Sequence, residues 1–139
     1  MLKVICKSQR RVDVAELRCA KYASTIAEEL SVGKTYIVYG QCIVDGCLLY
    51  LLDTVIRDGV SYPNWYPVSL FTVCDAGLPT SWKFMYYPQR EFSGLVEAVW
   101  GYDALVTSPE HYSGLIERDL KALEMFGQYK AELGKTDDY

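Results

Sequence analysis

Residues 33–54 read GKTYIVYGQCIVDGCLLYLLDT, and the Asp45-Gly46 step at their centre decides the fold class. Both residues tolerate positive φ, so Asp-Gly between two apolar runs specifies a tight β-hairpin. A two-residue loop sets Val44 opposite Cys47, Cys42 opposite Leu49 and Gly40 opposite Leu51, which predicts strands over 35–44 and 47–54. One face then carries Val38, Cys42, Val44, Cys47, Leu49 and Leu51, and the other Ile37, Tyr39, Ile43, Leu48, Tyr50 and Leu52. Both faces are apolar, so the hairpin is expected in the middle of a sheet covered on two sides.

Strand signals continue on either side. Residues 2–6 read as a short first strand. YPNWYP over 62–67 carries Pro63 and Pro67, which lack ladder donors, and is expected as a loop or an edge segment. Residues 68–74 and 81–87 read as the next strand pair, joined through Asp75 and Gly77. Helical patterning brackets this region. Leu17, Ala20, Ala23, Ala27 and Leu30 recur three or four apart, and Gly33 can close that helix. Ser108 before Pro109 marks a helix start. Asp119 can cap a longer helix whose stripe is Ala122, Phe126, Tyr129 and Leu133, with Gly134 as its stop. The expected fold is α+β and one domain, 1–139. A strand and helical segment over 1–30 and helices over 108–134 flank a small antiparallel SH3-like barrel or bent sheet over 33–88.

Half of the 139 residues are hydrophobic, which suits one packed core. Charge is uneven. Residues 1–29 carry six Lys/Arg and four Asp/Glu (+2), residues 30–89 three and four (−1), and residues 90–139 five and ten (−5). Nucleic acid is therefore not the expected ligand, because a phosphate-binding face needs clustered cations. An acidic surface that steers a basic partner is one reading of the last third, and a solvated helical face is the other. The start MLKVICKSQRR has no apolar core of signal length, and no apolar run approaches the roughly 20 residues that span a bilayer. The chain is thus expected to be cytoplasmic, away from membranes, with its five cysteines reduced and acting as small hydrophobes.

Chemistry is sparse. The single histidine, His111, adjoins an aromatic near a helix start, where packing or capping is its ordinary role. Cys42 and Cys47, with Cys74 and His111, could in principle assemble a metal site, and His111 could meet Cys74 or Cys42 as a thiol–imidazole pair, but no CxxC marks either. Gly33-Lys34-Thr35 precedes a strand, not a helix, so it is no phosphate loop. Asp53 ends a strand and is expected to bond the loop beyond it. No catalytic residue, metal or cofactor is expected.

Aromatic residues are the denser signal. Trp65 and Tyr66 on a proline-flanked loop, and Trp100 and Tyr102 around Gly101 in another, are candidate anchors for a partner, since Trp and Tyr are large, stiff and polar at one end. Glu110, Glu117, Asp119 and Glu124 are the acids that would steer it. A structural role for the aromatics competes with this reading, as does a small-molecule-binding or regulatory module with a ligand in the barrel mouth.

Several of these residues also carry a resemblance. Gly33, Lys34, Tyr36, Val38 and Tyr39 form a Gly-Lys-x-Tyr-x-Val-Tyr strand. Tyr62, Pro63, Trp65, Tyr66 and Pro67 lead to Leu70-Phe71 and to an Asp75-x-Gly77 turn. Tyr112, Leu115, Tyr129 and Lys130 mark the C-terminal helical part. Over most of residues 30–133 the chain is similar to small immunity proteins of bacterial toxin systems. The resemblance implies a non-enzymatic chain that binds and neutralises one cognate toxin domain, such as a nuclease. Its motifs are scaffold motifs, so it carries over no binding residue.

Overall fold

The structure, a computed structural model, describes residues 1–10, 19, 29–55, 59–87 and 96–136. The helix expected over 14–30 falls almost wholly outside them. The described elements are β1 (Leu2–Cys6), β2 (Thr35–Ile37), β3 (Gly40–Val44), β4 (Cys47–Val55), β5 (Ser61–Pro67), β6 (Phe71–Ala76), β7 (Lys83–Tyr86), β8 (Val96–Gly101), α1 (Asp103–Thr107), α2 (Pro109–Glu117) and α3 (Leu120–Thr136). A turn of 3-10 helix, Val68–Leu70, joins β5 to β6. The strands form two antiparallel sheets ordered β2-β1-β6 and β5-β4-β3-β8-β7. The fold is α+β. A closed barrel is not formed among the described residues, because the two ladders do not join into one ring.

The central hairpin has the register that its turn dictates: Val44 pairs with Cys47, Cys42 with Leu49 and Gly40 with Leu51. Asp45 and Gly46 both take positive φ, 50° and 75°. The strand expected over 35–44 is split in two. The Val38 N–H donates to the Leu2 carbonyl (2.9 Å) in the first sheet, and the Tyr39 N–H donates to the Leu51 carbonyl (2.8 Å) in the second. The chain changes sheets across that peptide, and again through Val68–Leu70. Phe71 fills the space between the sheets, its ring meeting Tyr36, Tyr50 and Tyr66 edge-on at 6.3, 5.9 and 6.4 Å. Such perpendicular contacts set the positive edge of one ring against the negative face of another.

Two expected pairings are corrected. β6 pairs with β1 and β7 with β8, so segments 68–74 and 81–87 belong to different sheets. Turn chemistry at Asp75 and Gly77 bends the chain without choosing the strand it meets next. Residues 61–67 are a strand, not a loop, but on the outer edge of the larger sheet, where a missing proline N–H can face away from the ladder. Trp100 and Gly101, expected in a loop, end β8, which lies between β3 and β7.

The helices pack on the larger sheet, α1 against β7 and β8, α2 and α3 against β5. Leu105 of α1 is fully buried over the paired glycines Gly40 and Gly101. A Cβ at Gly40 would overlap Leu105 Cδ2, and one at Gly101 would lie 2.7 Å from it. Helix α2 starts as its sequence dictates, with Ser108 Oγ accepting from the His111 N–H (3.2 Å) and proline in the first turn. Asp119 Oδ2 accepts from the Ala122 N–H (3.2 Å) at the head of α3. That helix runs through Gly134 to Thr136, so the glycine does not stop it. Ala122 and Phe126 are buried, with Tyr129 and Leu133 packed against the core.

One cysteine expectation is overturned. Cys19 and Cys47 form a disulfide, their Cα atoms 5.7 Å apart, across 28 residues of sequence that conceal the pairing. Cys6 and Cys42 are free and buried, while Cys74 is free and exposed. Among the described residues no helix is long and apolar enough to cross a membrane.

Candidate functional site

Three acids of the C-terminal third, Glu110, Glu117 and Asp119, meet at the junction of α2 and α3. Glu110, Ser113 and Glu117 are spaced three and four residues apart and share one face of α2. The turn after α2 then brings Asp119 back beside them. With Pro109 and Gly114 they line a cleft of about 460 Å³. Gly114 permits this close return, since a Cβ there would lie 2.8 Å from Ala122 Cβ. Glu110, Glu117, Asp119 and Glu124 are all exposed, although Glu124 stands apart on α3. Ile116 and Leu120, 57 % and 71 % exposed, stand in the same turn region.

Arg118 explains why this face stays acidic. Residues 108–124 contain four acids and two bases, Arg118 and Lys121, for a net −2. Arg118 adopts the left-handed conformation (φ 61°, ψ 34°) that ends α2. Its guanidinium turns inward, donating to the Pro63 carbonyl (2.9 Å) and Asn64 Oδ1 (2.6 Å). It also lies 4.5 Å from the centre of the Tyr62 ring. Behind it runs a buried chain in which Asn64 Nδ2 donates to Thr54 Oγ1 (2.9 Å), itself 2.7 Å from the Tyr66 hydroxyl. The one cation flanked by Glu117 and Asp119 is thereby withdrawn from their surface. Carboxylates, a serine and aliphatic carbon remain, groups suited to docking a basic surface.

The aromatic candidates divide. Tyr66 is fully buried and Tyr102 is 6 % exposed, so neither ring presents a contact surface. Burial raises both phenol pKa values. Trp65 is half-buried against Tyr112 at 5.8 Å, its indole N–H buried without a hydrogen-bond partner among the described residues. Trp100 is half-buried at the surface and contacts Phe84 at 4.8 Å. Phe84, whose alternation with Lys83 and Trp82 suggests a core strand position, and Tyr86 are instead 54 % and 61 % exposed on the outer strand β7. Strand alternation marks such positions as apolar without saying whether anything covers them.

His111 is buried and its pKa is lowered by desolvation. Nε2 lies 2.5 Å from the Tyr102 hydroxyl, and Nδ1 has no hydrogen-bond partner among the described residues. The ring therefore packs within the core. Cys42 is fully buried, which pushes its thiol pKa up, and Tyr112 donates to its sulfur at 3.8 Å. Cys47 is held by Cys19 and Cys74 lies on the other sheet, so these thiols do not gather around His111. Among the described residues no group of three or more His, Cys, Asp or Glu is placed to hold a metal. Asp53, expected to bond the following loop, instead pairs with Lys130 of α3. No family model, curated protein or solved structure matches the chain.

Proposed function

We propose that this chain is a non-enzymatic immunity-type protein that binds and neutralises a cognate bacterial toxin domain through the acidic junction of α2 and α3. The reading rests on one observation. Glu110, Glu117 and Asp119 border a single cleft near exposed Ile116 and Leu120, while Arg118 is turned away. Carboxylates attract a basic partner at long range, and the exposed Ile116 and Leu120 nearby give it apolar surface to bury on contact. A basic toxin domain, such as a nuclease, has the complementary charge. Trp100, beside Phe84 on the larger sheet, is the aromatic candidate that keeps surface for a second contact. The bent pair of sheets, an opened relative of an SH3-like barrel, serves as scaffold for the helices. A cytoplasmic site of action, expected from the sequence, conflicts with the Cys19–Cys47 disulfide, a bond that persists in oxidising compartments. The proposal itself holds in either compartment.

The test captures a basic partner on tagged protein from the native host and follows association of the purified partner by surface plasmon resonance. Changing Glu110 and Glu117 of the cleft, together with Glu124 on α3, to glutamine, and leaving Asp119 to cap α3, should slow association by about tenfold at low salt, with a smaller change in dissociation. Unchanged association in that triple variant would remove the acidic junction from the interface.

A further inference from the structure

A strand at the border of a sheet exposes unpaired N–H and C=O groups, and proteins guard such edges with prolines, charges, bulges or very short strands. Among the described residues three of the four sheet edges are guarded in this way. β2 has three residues, β5 carries Pro63 and Pro67, and β6 is bulged opposite the Lys3–Val4 step and carries Asp75. β7 is the exception. Its sequence is KFMY, every residue is exposed, and its one charge, Lys83, is already paired with Asp103. The ladder fixes which main-chain groups point outward. The Tyr87 N–H donates to the Glu97 carbonyl at 2.7 Å, so the hydrogen-bonded pairs with β8 fall at Met85–Val99 and Lys83–Gly101. Phe84 and Tyr86, opposite Trp100 and Ala98, therefore turn both main-chain groups away from β8. No other hydrogen bond takes those groups among the described residues. The row of outward donors ends there on both sides, because the Trp82 N–H is used by the Pro79 carbonyl (3.1 Å) and Pro88 has no N–H.

We propose that β7 pairs antiparallel with β7 of a second copy of this chain, about a two-fold axis at Met85, in a transient dimer that joins the two larger sheets. Self-complementarity selects the occupant. In this register Phe84 faces Tyr86 of the second copy and Tyr86 faces its Phe84, so every outward N–H and C=O of the two residues finds a partner. An axis at Phe84 would need the Trp82 N–H, which Pro79 holds, and an axis at Tyr86 would need the N–H that Pro88 lacks. The row of Trp100 and Phe84, rings 4.8 Å apart, is then extended by Tyr86 of the second copy as an aromatic cross-strand pair. Like charges do not meet, since the two Lys83 positions lie about 13 Å apart along the strands. Area sets the strength. Phe84, Met85 and Tyr86 are 54 %, 41 % and 61 % exposed, and side chains of this size cover about 150–250 Å² each, so the pair buries roughly 600 Å² of side-chain surface in all. That is about half of what the smallest stable interfaces bury, which places the dissociation constant at roughly 0.1–1 mM. The dimer uses no residue of the acidic junction, so it stands or falls apart from the inhibitor reading.

The experiment follows the ¹⁵N-labelled full chain by NMR and by sedimentation velocity from about 20 µM to about 2 mM, a range that brackets the expected constant. The amides of Phe84 and Tyr86 should shift with concentration, and the sedimentation coefficient should rise toward that of a dimer. Tyr86→Pro deletes an outward N–H while leaving the ladder to β8 intact, and should weaken association at least about tenfold. Phe84→Lys with Tyr86→Lys, and Phe84→Glu with Tyr86→Glu, should each be monomeric, and their equimolar mixture should dimerise, a recovery that a folding defect cannot mimic. In a Cys74→Ser background, Met85→Cys should cross-link to its own counterpart under mild oxidation, because partners in a non-hydrogen-bonded pair stand about 4.5 Å apart, within disulfide reach. Phe84→Cys should not, since its counterpart lies about 8 Å away on the diagonal. Association that Tyr86→Pro leaves unchanged, no recovery in the charge-swapped mixture, or cross-linking of Phe84→Cys as readily as Met85→Cys would each overturn the proposal. A chain that stays monomeric throughout would overturn the second copy as occupant and leave the edge to a strand of another protein.

Discussion

Arg118 holds a conformation that favours glycine because its side chain is needed inside, and two substitutions separate these effects. Arg118→Ala removes the donors to the Pro63 carbonyl and Asn64 Oδ1, removes the cation from the Tyr62 ring, and keeps a Cβ at φ 61°. Hydrogen bonds from a charged donor contribute about 1.5–3 kcal/mol each, and an exposed cation–π contact about 0.5–1 kcal/mol. The site is half-buried, which reduces these values, while Asn64, 7 % exposed, loses a partner for its carbonyl oxygen. The net loss for Arg118→Ala should be about 3 kcal/mol. Arg118→Gly loses the same contacts but relieves about 1 kcal/mol of left-handed strain, so it should cost about 2 kcal/mol. Urea unfolding of the three proteins measures both quantities, and thermal midpoints should fall by about 3–4 °C per kcal/mol at this chain length. A glycine variant less stable than the alanine variant, or both within about 0.5 kcal/mol of the parent, would refute the reasoning.

Three further predictions follow from burial and covalent geometry. Gly40→Ala should cost about 2–3 kcal/mol in urea unfolding, because its methyl overlaps Leu105 of α1, and the added change Leu105→Ala should cost less than the two single effects combined. His111 has a folded pKa below its unfolded value, so its contribution is present above the ordinary histidine pKa and is lost as pH falls through about 6.5 and below. The urea midpoint should drop between pH 7.5 and 5 by a margin that shrinks in His111→Phe, and an unchanged slope would contradict this. The Cys19–Cys47 bond closes a 28-residue separation and should add about 3.5 kcal/mol. Denatured protein should alkylate at Cys6, Cys42 and Cys74 alone until a reductant is added, and mass spectrometry would show otherwise if all five react at once.

Legibility in the sequence followed the range of each interaction. The hairpin at Asp45-Gly46 was readable to the residue pair because turn geometry and a period of two leave one register. Ser108, Pro109 and Asp119 were readable as caps because capping acts within three residues. The partners of β6 and β7 were not, since strands across a sheet choose each other through distant contacts. The division of 35–44 at Val38 and Tyr39 depends on Leu2 and Leu51, which pull neighbouring amides into different sheets. Cys19 and Cys47 carry no local mark of their bond. The acids of the candidate site were legible by composition, but their meeting around one cleft needed the turn at Gly114 and Arg118. The inward pull on Arg118 comes from Pro63 and Asn64, more than fifty residues away in the chain. Aromatic content likewise could not distinguish buried Tyr66 and Tyr102 from half-buried Trp100.

The most direct measurement of the central claim is co-purification of the tagged chain from its native host at low and at high salt, with the toxin activity of any captured partner read in the same samples. The account predicts a stoichiometric complex that silences the toxin, with affinity falling as salt screens the acidic junction and falling less in the triple glutamine variant. No complex at either salt, or an inhibitory complex indifferent both to salt and to those three substitutions, would contradict it.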